Sequence, residues 1–161
     1  MASGSDRLRD AARALDLDVD VVTLSDGTRT AEDAAGAIGC DVAAIVKSLV
    51  FTVDGEPVVA LIPGDRRLDT ALLGALAGGD DVARAPLDLV RSATGYVAGG
   101  TPPFGHARPL RVFADVALRR HDPVWAGGGT PHAVFAIGLD DLDRVAGPVW
   151  GPLSRPSGSP T

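Results

Sequence analysis

The sequence predicts a single α+β domain in which a mixed, partly barrel-like β-sheet is packed by short helices. Short apolar strands and short helices alternate along the chain, and both hairpin-length and crossover-length connections join the strands. A chain of 161 residues with 45% hydrophobic residues suits one domain with a real core. We expect one folded domain over residues 1–147, followed by a Pro-, Gly- and Ser-rich tail over residues 148–161 that is disordered by composition.

Turn and cap signals place the elements of the first half. Thr30 and Asp33 have the spacing of a helix capping pair, with Asp in place of the usual Glu. Asp54-Gly55 stands between two apolar runs and predicts a hairpin. Together with apolar periodicity, these signals predict helices at 6–15 and 31–38, a helical turn at 41–45, and strands at 19–24, 47–53 and 57–62.

The second half is punctuated by glycine and proline. Asp69 can cap a helix that Gly78-Gly79 ends, and Pro86 suits the first position of the next helix. A long Gly/Pro loop follows that second helix. The predicted elements are helices at 70–77, 86–92 and 140–145, and strands at 81–85, 110–114, 123–126 and 132–137.

The charge and cysteine content narrow the classes of function. A net charge of −6 argues against extended nucleic-acid binding, but residues 101–137 hold four Arg and two Asp. A local basic face could therefore contact the end of an RNA, with modest and salt-sensitive affinity. A single cysteine, Cys40, rules out an internal disulfide, and no run of about 18 apolar residues exists. We expect a cytoplasmic protein with no membrane partner.

Lys47 is the first candidate for chemistry. It is the one lysine among 15 basic residues, and it stands where a predicted helical turn meets an apolar strand. A compact ammonium with three donors can hold a phosphate or a carbonyl oxygen in a narrow site that a guanidinium would not fit. The structural alternative is a lysine at a strand start whose ammonium reaches water.

Two glycine-rich loops are the second candidates. One runs from Gly95 to His106 and the other from Ala126 to His132. Glycines allow close backbone approach, and successive free N–H groups can form an oxyanion-binding nest. The three histidines lack metal-ligand spacing and no G-x-S-x-G elbow is present, so we expect no metal, no cofactor and no protein nucleophile. A hydrolase built from these parts would depend on positioning and on the substrate.

Three stretches in this order and spacing resemble the YbaK/prolyl-tRNA-synthetase-associated editing domain family. They are the Thr30–Gly39 segment leading through Ile45–Phe51, the Gly95-Tyr96 and Gly99–Gly105 loop, and Ala126-Gly127 with the strand that follows. The similarity spans roughly residues 19–147, and Lys-Ser-Leu-Val-Phe is its most specific piece.

The resemblance implies a free-standing, trans-acting aminoacyl-tRNA deacylase that clears wrongly attached small amino acids, often from tRNA for proline. It implies that Lys47 binds the 3′-terminal region of the substrate and that the Gly99–Gly105 loop supplies backbone donors around the scissile carbonyl. Ser48 is at a variable position and could tune selectivity, and His132 matches a histidine of some subfamilies. The predicted catalytic residues are Lys47, Gly99, Gly100 and Thr101, and the predicted substrate-binding residues are Ser48, Phe51, Pro102, Phe104, Gly105, Gly128 and His132.

The resemblance also implies the attacking group and the partners. In this family the attacking group is a water assisted by the terminal ribose hydroxyl, or the thiol of a mischarged cysteine. The expected partners are an aminoacyl-tRNA substrate and prolyl-tRNA synthetase, and the expected assembly is a monomer or a weak homodimer. Two alternatives stay open: a non-catalytic tRNA- or nucleotide-binding module of the same fold, and a small-molecule hydrolase unrelated to tRNA.

Overall fold

The chain folds around a five-stranded sheet in the computed structural model, which describes residues 3–25 and 30–157. The described strands are β1 (Val22–Thr23), β2 (Val46–Val53), β3 (Glu56–Pro63), β4 (Arg66–Leu68), β5 (Val82–Arg84), β6 (Arg111–Asp115), β7 (Val124–Gly127), β8 (Ala133–Ile137), β9 (Val149–Gly151) and β10 (Ser154–Pro156). The described α-helices are α1 (Gly4–Ala14), α2 (Ala31–Ile38), α3 (Thr70–Ala77), α4 (Leu87–Thr94) and α5 (Leu139–Ala146). Short 3-10 helices lie at Val42–Ala44 and Val116–Arg120. None of the described helices is long and apolar enough to cross a membrane.

The described strands form three sheets. The central sheet has the order β5-β2-β3-β6-β9, with antiparallel β5-β2 and β2-β3 pairs and parallel β3-β6 and β6-β9 pairs. A second, antiparallel sheet has the order β1-β8-β7, and β4 pairs with β10. A bridge between Ile45 and Trp125 links the central and second sheets. The predicted α+β domain with a mixed sheet is confirmed, and the described strands do not close into a barrel.

The β2-β3 hairpin sets the register that places Lys47. Asp54 (φ 51°) and Gly55 (φ 87°) both adopt left-handed backbone conformations, as the favoured two-residue hairpin turn requires. The turn sets Val53 opposite Glu56, and the ladder continues until Lys47 lies opposite Ile62. The local Asp-Gly signal therefore determines the position of Lys47 in the sheet.

β3 is buried on both faces and divides the core. Val59 and Leu61 pack into a cluster with Leu8 and Phe135, while alternate residues of the strand pack into a second cluster around Phe113. Because side chains alternate between the faces of a strand, one continuous apolar run supplies both clusters. The central strand thus holds the helices on both sides of the sheet.

Local caps account for the helix boundaries that the sequence predicts best. The Thr30 hydroxyl accepts a hydrogen bond from the Asp33 amide at 3.1 Å, and the Asp33 carboxylate accepts one from the Thr30 amide at 3.2 Å. This reciprocal pair satisfies two amides that the helix itself leaves open. The Asp69 carboxylate likewise caps α3. At α4 the helix begins at Leu87 with Pro86 as its N-cap, one position later than predicted.

The prediction of a disordered C-terminal tail is wrong for residues 148–157. β9 pairs with β6 at an edge of the central sheet, β10 pairs with β4, and Leu153 between them is fully buried. Residues 158–161 lie outside the described part of the chain. Pro- and Gly-rich composition predicts disorder only where no partner strand exists, and here the partners come from distant parts of the chain. The predicted strand at 19–24 is also shorter, since only Val22–Thr23 pairs.

The Gly99–His106 loop is anchored at its C-terminal end. Phe104 is buried, and its ring packs edge-on against Phe135 with centroids 6.0 Å apart. The His106 Nε2 atom donates a hydrogen bond to the Pro102 carbonyl oxygen at 2.8 Å, so Nε2 carries a proton. Burial lowers the pKa of His106 below its usual range, and the hydrogen bond to Pro102 partly offsets that effect.

Replacing Leu153 by Ala should lower the free energy of unfolding by about 2–4 kcal/mol, because it removes a fully buried side chain and leaves a cavity. Chemical denaturation of both proteins measures the difference. Arg155→Ala is the matched control, since Arg155 is exposed on β10 and its loss should cost less than about 0.5 kcal/mol. Equal stability of Leu153→Ala and wild type would contradict the docking of this segment.

The buried His106 should make the protein less stable in mild acid. Its folded pKa is depressed, so below the ordinary histidine pKa of about 6.5 the unfolded chain binds more protons than the folded one. Stability is therefore complete above that pH and falls below it, with a slope of at most about 1.4 kcal/mol per pH unit. His106→Gln, which keeps an N–H donor, should flatten the difference in unfolding free energy between pH 7.5 and 5.5. An unchanged slope in His106→Gln would refute this assignment.

Candidate active site

A cavity of about 480 Å³ lies where α2, the start of β2, β7 and β8 meet. Its described lining is mostly small and apolar, and the charged residues of that lining are Lys47 and Glu32. Within the described residues, the lining comprises Leu24, Thr30, Ala31, Glu32, Ala34, Ile45, Val46, Lys47, Ser48, Leu49, Gly64, Gly99, Thr101, Trp125, Ala126, Gly127, Pro131, Ala133, Val134 and Ser157. The volume falls within the range of small-ligand sites.

Lys47 is half-buried in the wall of this cavity. Its Nζ atom donates a hydrogen bond to the Arg66 carbonyl oxygen at 3.0 Å. An ammonium has three donors, so two N–H groups have no partner among the described residues and are available to a ligand. An ammonium that one hydrogen bond to a carbonyl oxygen already keeps in place can bind a phosphate or a developing oxyanion with its other N–H groups.

The two glycine-rich loops pack backbone against backbone beside the cavity. A Cβ atom at Gly100 would lie 2.7 Å from the carbonyl carbon of Thr130, and one at Gly127 would lie 2.8 Å from the carbonyl oxygen of Thr101. The Gly129 amide donates to the Gly100 carbonyl oxygen at 2.9 Å. Glycine is required at Gly100 and Gly127 because no side chain fits between the loops.

These contacts decide which loop residues can reach a ligand. Gly99 and Thr101 line the cavity, whereas Gly100 is buried and its amide donates to the Val97 carbonyl oxygen at 3.1 Å. The Gly100 amide therefore does not serve as one of the predicted backbone donors, because it is already hydrogen-bonded within the loop. Gly100 contributes by holding the loop in place.

Two buried polar atoms lack a hydrogen-bond partner within the described residues. They are the Ser48 hydroxyl and the Nδ1 atom of His132. Ser48 lines the cavity, so its hydroxyl can bond to a ligand. His132 does not line the cavity, although its neighbours Pro131 and Ala133 do, and its carbonyl oxygen accepts a hydrogen bond from the Leu24 amide at 2.6 Å.

Five other predicted substrate-binding residues lie outside the lining. Phe51 is buried in the core cluster around Phe113, and Phe104 packs against Phe135. Pro102, Gly105 and Gly128 are likewise absent from the lining: Pro102 accepts the His106 hydrogen bond, Gly105 sits near α1 at a φ of 73°, and Gly128 packs against Ala133. Phe51 therefore belongs to the core of the central sheet, and the other four residues belong to the glycine-rich loops.

The structure adds cavity residues that the sequence predictions omit. Glu32, in the first turn of α2, supplies the carboxylate of the described lining. Trp125 also lines the cavity, and its backbone is bridged to Ile45. Gly64 forms part of the wall, at a point where a Cβ atom would lie 2.7 Å from the Val42 carbonyl oxygen. The sequence contained one indication of Glu32: this residue lies inside the Thr30–Gly39 segment on which the family resemblance depends.

Cys40 packs below the cavity with the apolar residues of α2. Burial, aided by the nearby Asp41 carboxylate, raises the pKa of the Cys40 thiol. A thiol in that state is a poor nucleophile, which agrees with a packing role. No group of three or more His, Cys, Asp or Glu in the described residues could hold a metal ion.

The matches to known proteins agree on one family. The model of the aminoacyl-tRNA editing domain matches residues 25–145. Proline–tRNA ligase of Maridesulfovibrio salexigens is 40% identical over 117 residues, which cover 71% of this chain and 20% of the ligase, so the chain spans only a fifth of that relative's length. The uncharacterized protein YwhH of Bacillus subtilis is 29% identical over 133 residues, covering 81% of this chain and 84% of YwhH.

A solved structure extends the agreement to the fold. The crystal structure of a candidate trans-editing enzyme for prolyl-tRNA synthetase superposes with a TM-score of 0.90 at 36% identity, covering 96% of this chain and 99% of the other. The family resemblance predicted from the sequence is confirmed. The chain belongs to the aminoacyl-tRNA editing domain family.

Proposed function

We propose that this chain is a trans-acting deacylase that hydrolyses the ester between a small amino acid and the 3′ end of tRNA for proline. The observation that carries the proposal is the Lys47 ammonium in the wall of a cavity lined by glycine, alanine and apolar residues. The similarity to a candidate trans-editing enzyme and to part of a proline–tRNA ligase supports the choice of tRNA.

The reaction needs positioning more than a protein nucleophile. A water oxygen attacks the ester carbonyl carbon, the bond to the ribose oxygen breaks, one proton of the water passes to that ribose oxygen, and the other is released when the new carboxyl group ionises. The products are the free amino acid and a tRNA with intact terminal hydroxyls. Lys47, with two N–H groups left after its bond to Arg66, binds the carbonyl oxygen or the terminal phosphate and stabilises negative charge there.

The described walls favour a small, uncharged amino-acid side chain. Ala126, Gly127 and Ala133 line one side, and Ala31 and Ala34 line another. The Ser48 hydroxyl is a free hydrogen-bonding group within the described residues, and it can contact a polar atom of the substrate. Discrimination between amino acids that differ by a methyl or hydroxyl group would rest on about 1–3 kcal/mol from such contacts.

The RNA can continue from the cavity toward α4. A second cavity of about 220 Å³ shares Ser48, Gly99 and Thr101 with the first, and Arg84 and the exposed Leu87 line it. A guanidinium beside an apolar surface suits a phosphate followed by a base. We expect affinity for the tRNA end to fall as salt is raised, since the overall charge of −6 leaves few phosphate contacts.

Lys47→Ala should lower kcat/KM for deacylation of alanyl-, seryl-, threonyl- or cysteinyl-tRNA for proline by about 100-fold, because it removes the cation that binds the substrate. Release of the amino acid from charged tRNA measures the rate, and unchanged thermal unfolding shows that the fold is kept. The control Arg67→Ala removes an exposed cation from β4 and should act like wild type.

Absence of amino-acid release by the wild-type protein, under conditions where a known deacylase works, would overturn the proposed activity. Saturable tRNA binding without product would then favour the non-catalytic binding module. Cleavage of simple esters that is indifferent to RNA and salt would favour a small-molecule hydrolase.

Glu32 is proposed to bind the α-ammonium group of the esterified amino acid, since it is the carboxylate of the described lining. Glu32→Gln should raise KM for aminoacyl-tRNA several-fold, about 1 kcal/mol for an exposed charge pair. N-acetylated aminoacyl-tRNA, which lacks the positive charge, should be a poor substrate for the wild type and should lose little further rate in Glu32→Gln. Equal losses on both substrates would assign Glu32 a role other than ammonium binding.

A further inference from the structure

We propose that Arg66, held by Ser154 and the buried Asp115, is a positioning residue that orients Lys47 toward the substrate. The expected effect on catalysis rests on the proposed function, whereas the orientation of Lys47 rests on the hydrogen bonds alone. It assigns a role to the C-terminal strand that composition predicted to be disordered.

Hydrogen bonds to the side chain and to the backbone of Arg66 link the buried Asp115 carboxylate to the Lys47 ammonium through this one residue. The Ser154 hydroxyl donates to the Asp115 carboxylate, and the Arg66 Nε atom donates to the Ser154 hydroxyl oxygen at 2.7 Å. A second guanidinium nitrogen of Arg66 donates to the Ser154 carbonyl oxygen at 3.0 Å. The Arg66 carbonyl oxygen then accepts the bond from Lys47 Nζ at 3.0 Å.

The Asp115 end of these hydrogen bonds is rigid because it is buried. Asp115 is 3% exposed and Ser154 is 8% exposed. The second carboxylate oxygen of Asp115 accepts a hydrogen bond from the Ala117 amide at 3.0 Å, so both oxygens are bonded. Moving any of these groups would leave a buried polar atom without a partner, which costs about 1–3 kcal/mol.

The backbone of Arg66 is held from the same side as its side chain. Arg66 pairs with Pro156 in the β4-β10 ladder, and the Ser157 amide donates to the Asp65 carbonyl oxygen at 3.3 Å. Ser157 itself lines the cavity. β10 therefore both completes the cavity wall and fixes the carbonyl group that Lys47 uses.

Fixing this acceptor restricts a flexible side chain. Lysine has four rotatable carbon bonds, and an unrestrained ammonium would lose that freedom each time it bound a substrate. A carbonyl acceptor placed by Arg66 selects one region for the ammonium in advance. Supporting contacts of this kind hold a reactive group within the narrow geometry that catalysis requires.

The first test observes Lys47 directly. Lys47 is the only lysine of the sequence, so incorporation of lysine labelled with ¹³C and ¹⁵N yields the side-chain signals of this one residue. In the wild type, relaxation of the side-chain methylene signals should report an ordered side chain. Ser154→Ala and Arg66→Ala should shift the Lys47 signals and increase the mobility of the side chain. Ser154→Thr, which keeps the hydroxyl, and the control Arg67→Ala should leave the signals as in the wild type.

The second test couples the two residues through activity. Arg66→Ala and Ser154→Ala should each lower kcat/KM for deacylation about tenfold in the wild-type background. In the Lys47→Ala background neither change should lower the rate further, because the positioning group acts only through Lys47. A general structural defect would instead lower the rate in both backgrounds and would reduce the thermal stability.

The two tests separate this inference from the proposed function. The labelled-lysine experiment needs no substrate, so an inactive wild-type protein would refute the deacylase proposal without affecting that result. A Lys47 signal unchanged in both Ser154→Ala and Arg66→Ala overturns the positioning role. Arg66 is only half-buried, so Arg66→Ala supplies the measurement even if Ser154→Ala does not fold.

Discussion

The close backbone contact between the two glycine-rich loops is the constraint on which the candidate active site depends. Gly100 lies against Thr130 and Gly127 lies against Thr101, at separations that leave no room for a Cβ atom. A side chain at either glycine would push the β7-β8 sheet away from the Gly99–Thr101 segment and open the cavity between them. The Gly129 amide also donates a hydrogen bond to the Gly100 carbonyl oxygen, which fixes the orientation of one loop relative to the other. The glycines thus shape the cavity, and they need not contact the substrate to be required.

The cation in that cavity is placed by two independent parts of the fold. The β2-β3 hairpin determines where Lys47 leaves the sheet, and the β4-β10 ladder determines where its hydrogen-bond acceptor lies. An acidic protein can therefore present one ammonium to an anionic ligand without a broad basic surface. A single cation of this kind suits recognition of a nucleic-acid end, where few phosphates are contacted, better than binding along a duplex.

Local signals explain the elements that the sequence predicts well. The Thr30–Asp33 pair and Asp69 delimit α2 and α3 at the predicted residues, and Asp54-Gly55 produces the predicted hairpin. β4, β9 and β10 were missed because each is three residues long and exists only through pairing with a distant strand. A short segment rich in proline and glycine carries no periodicity from which such pairing could be inferred.

The sequence by itself determined the fold class and the family resemblance and singled out Lys47 as a candidate, because caps, turns, alternation and the rarity of lysine are properties of neighbouring residues or of composition. It did not separate aromatic residues of the core from those of a pocket, and Phe51 and Phe104 pack in the core although they were assigned to the site. Only the tertiary structure brought Glu32 and Trp125 to the cavity and joined Arg66 to Ser154, 88 positions away. The physical reason is that periodicity specifies which face of an element is buried, whereas the partner of that face is chosen by packing and hydrogen bonding across the whole chain.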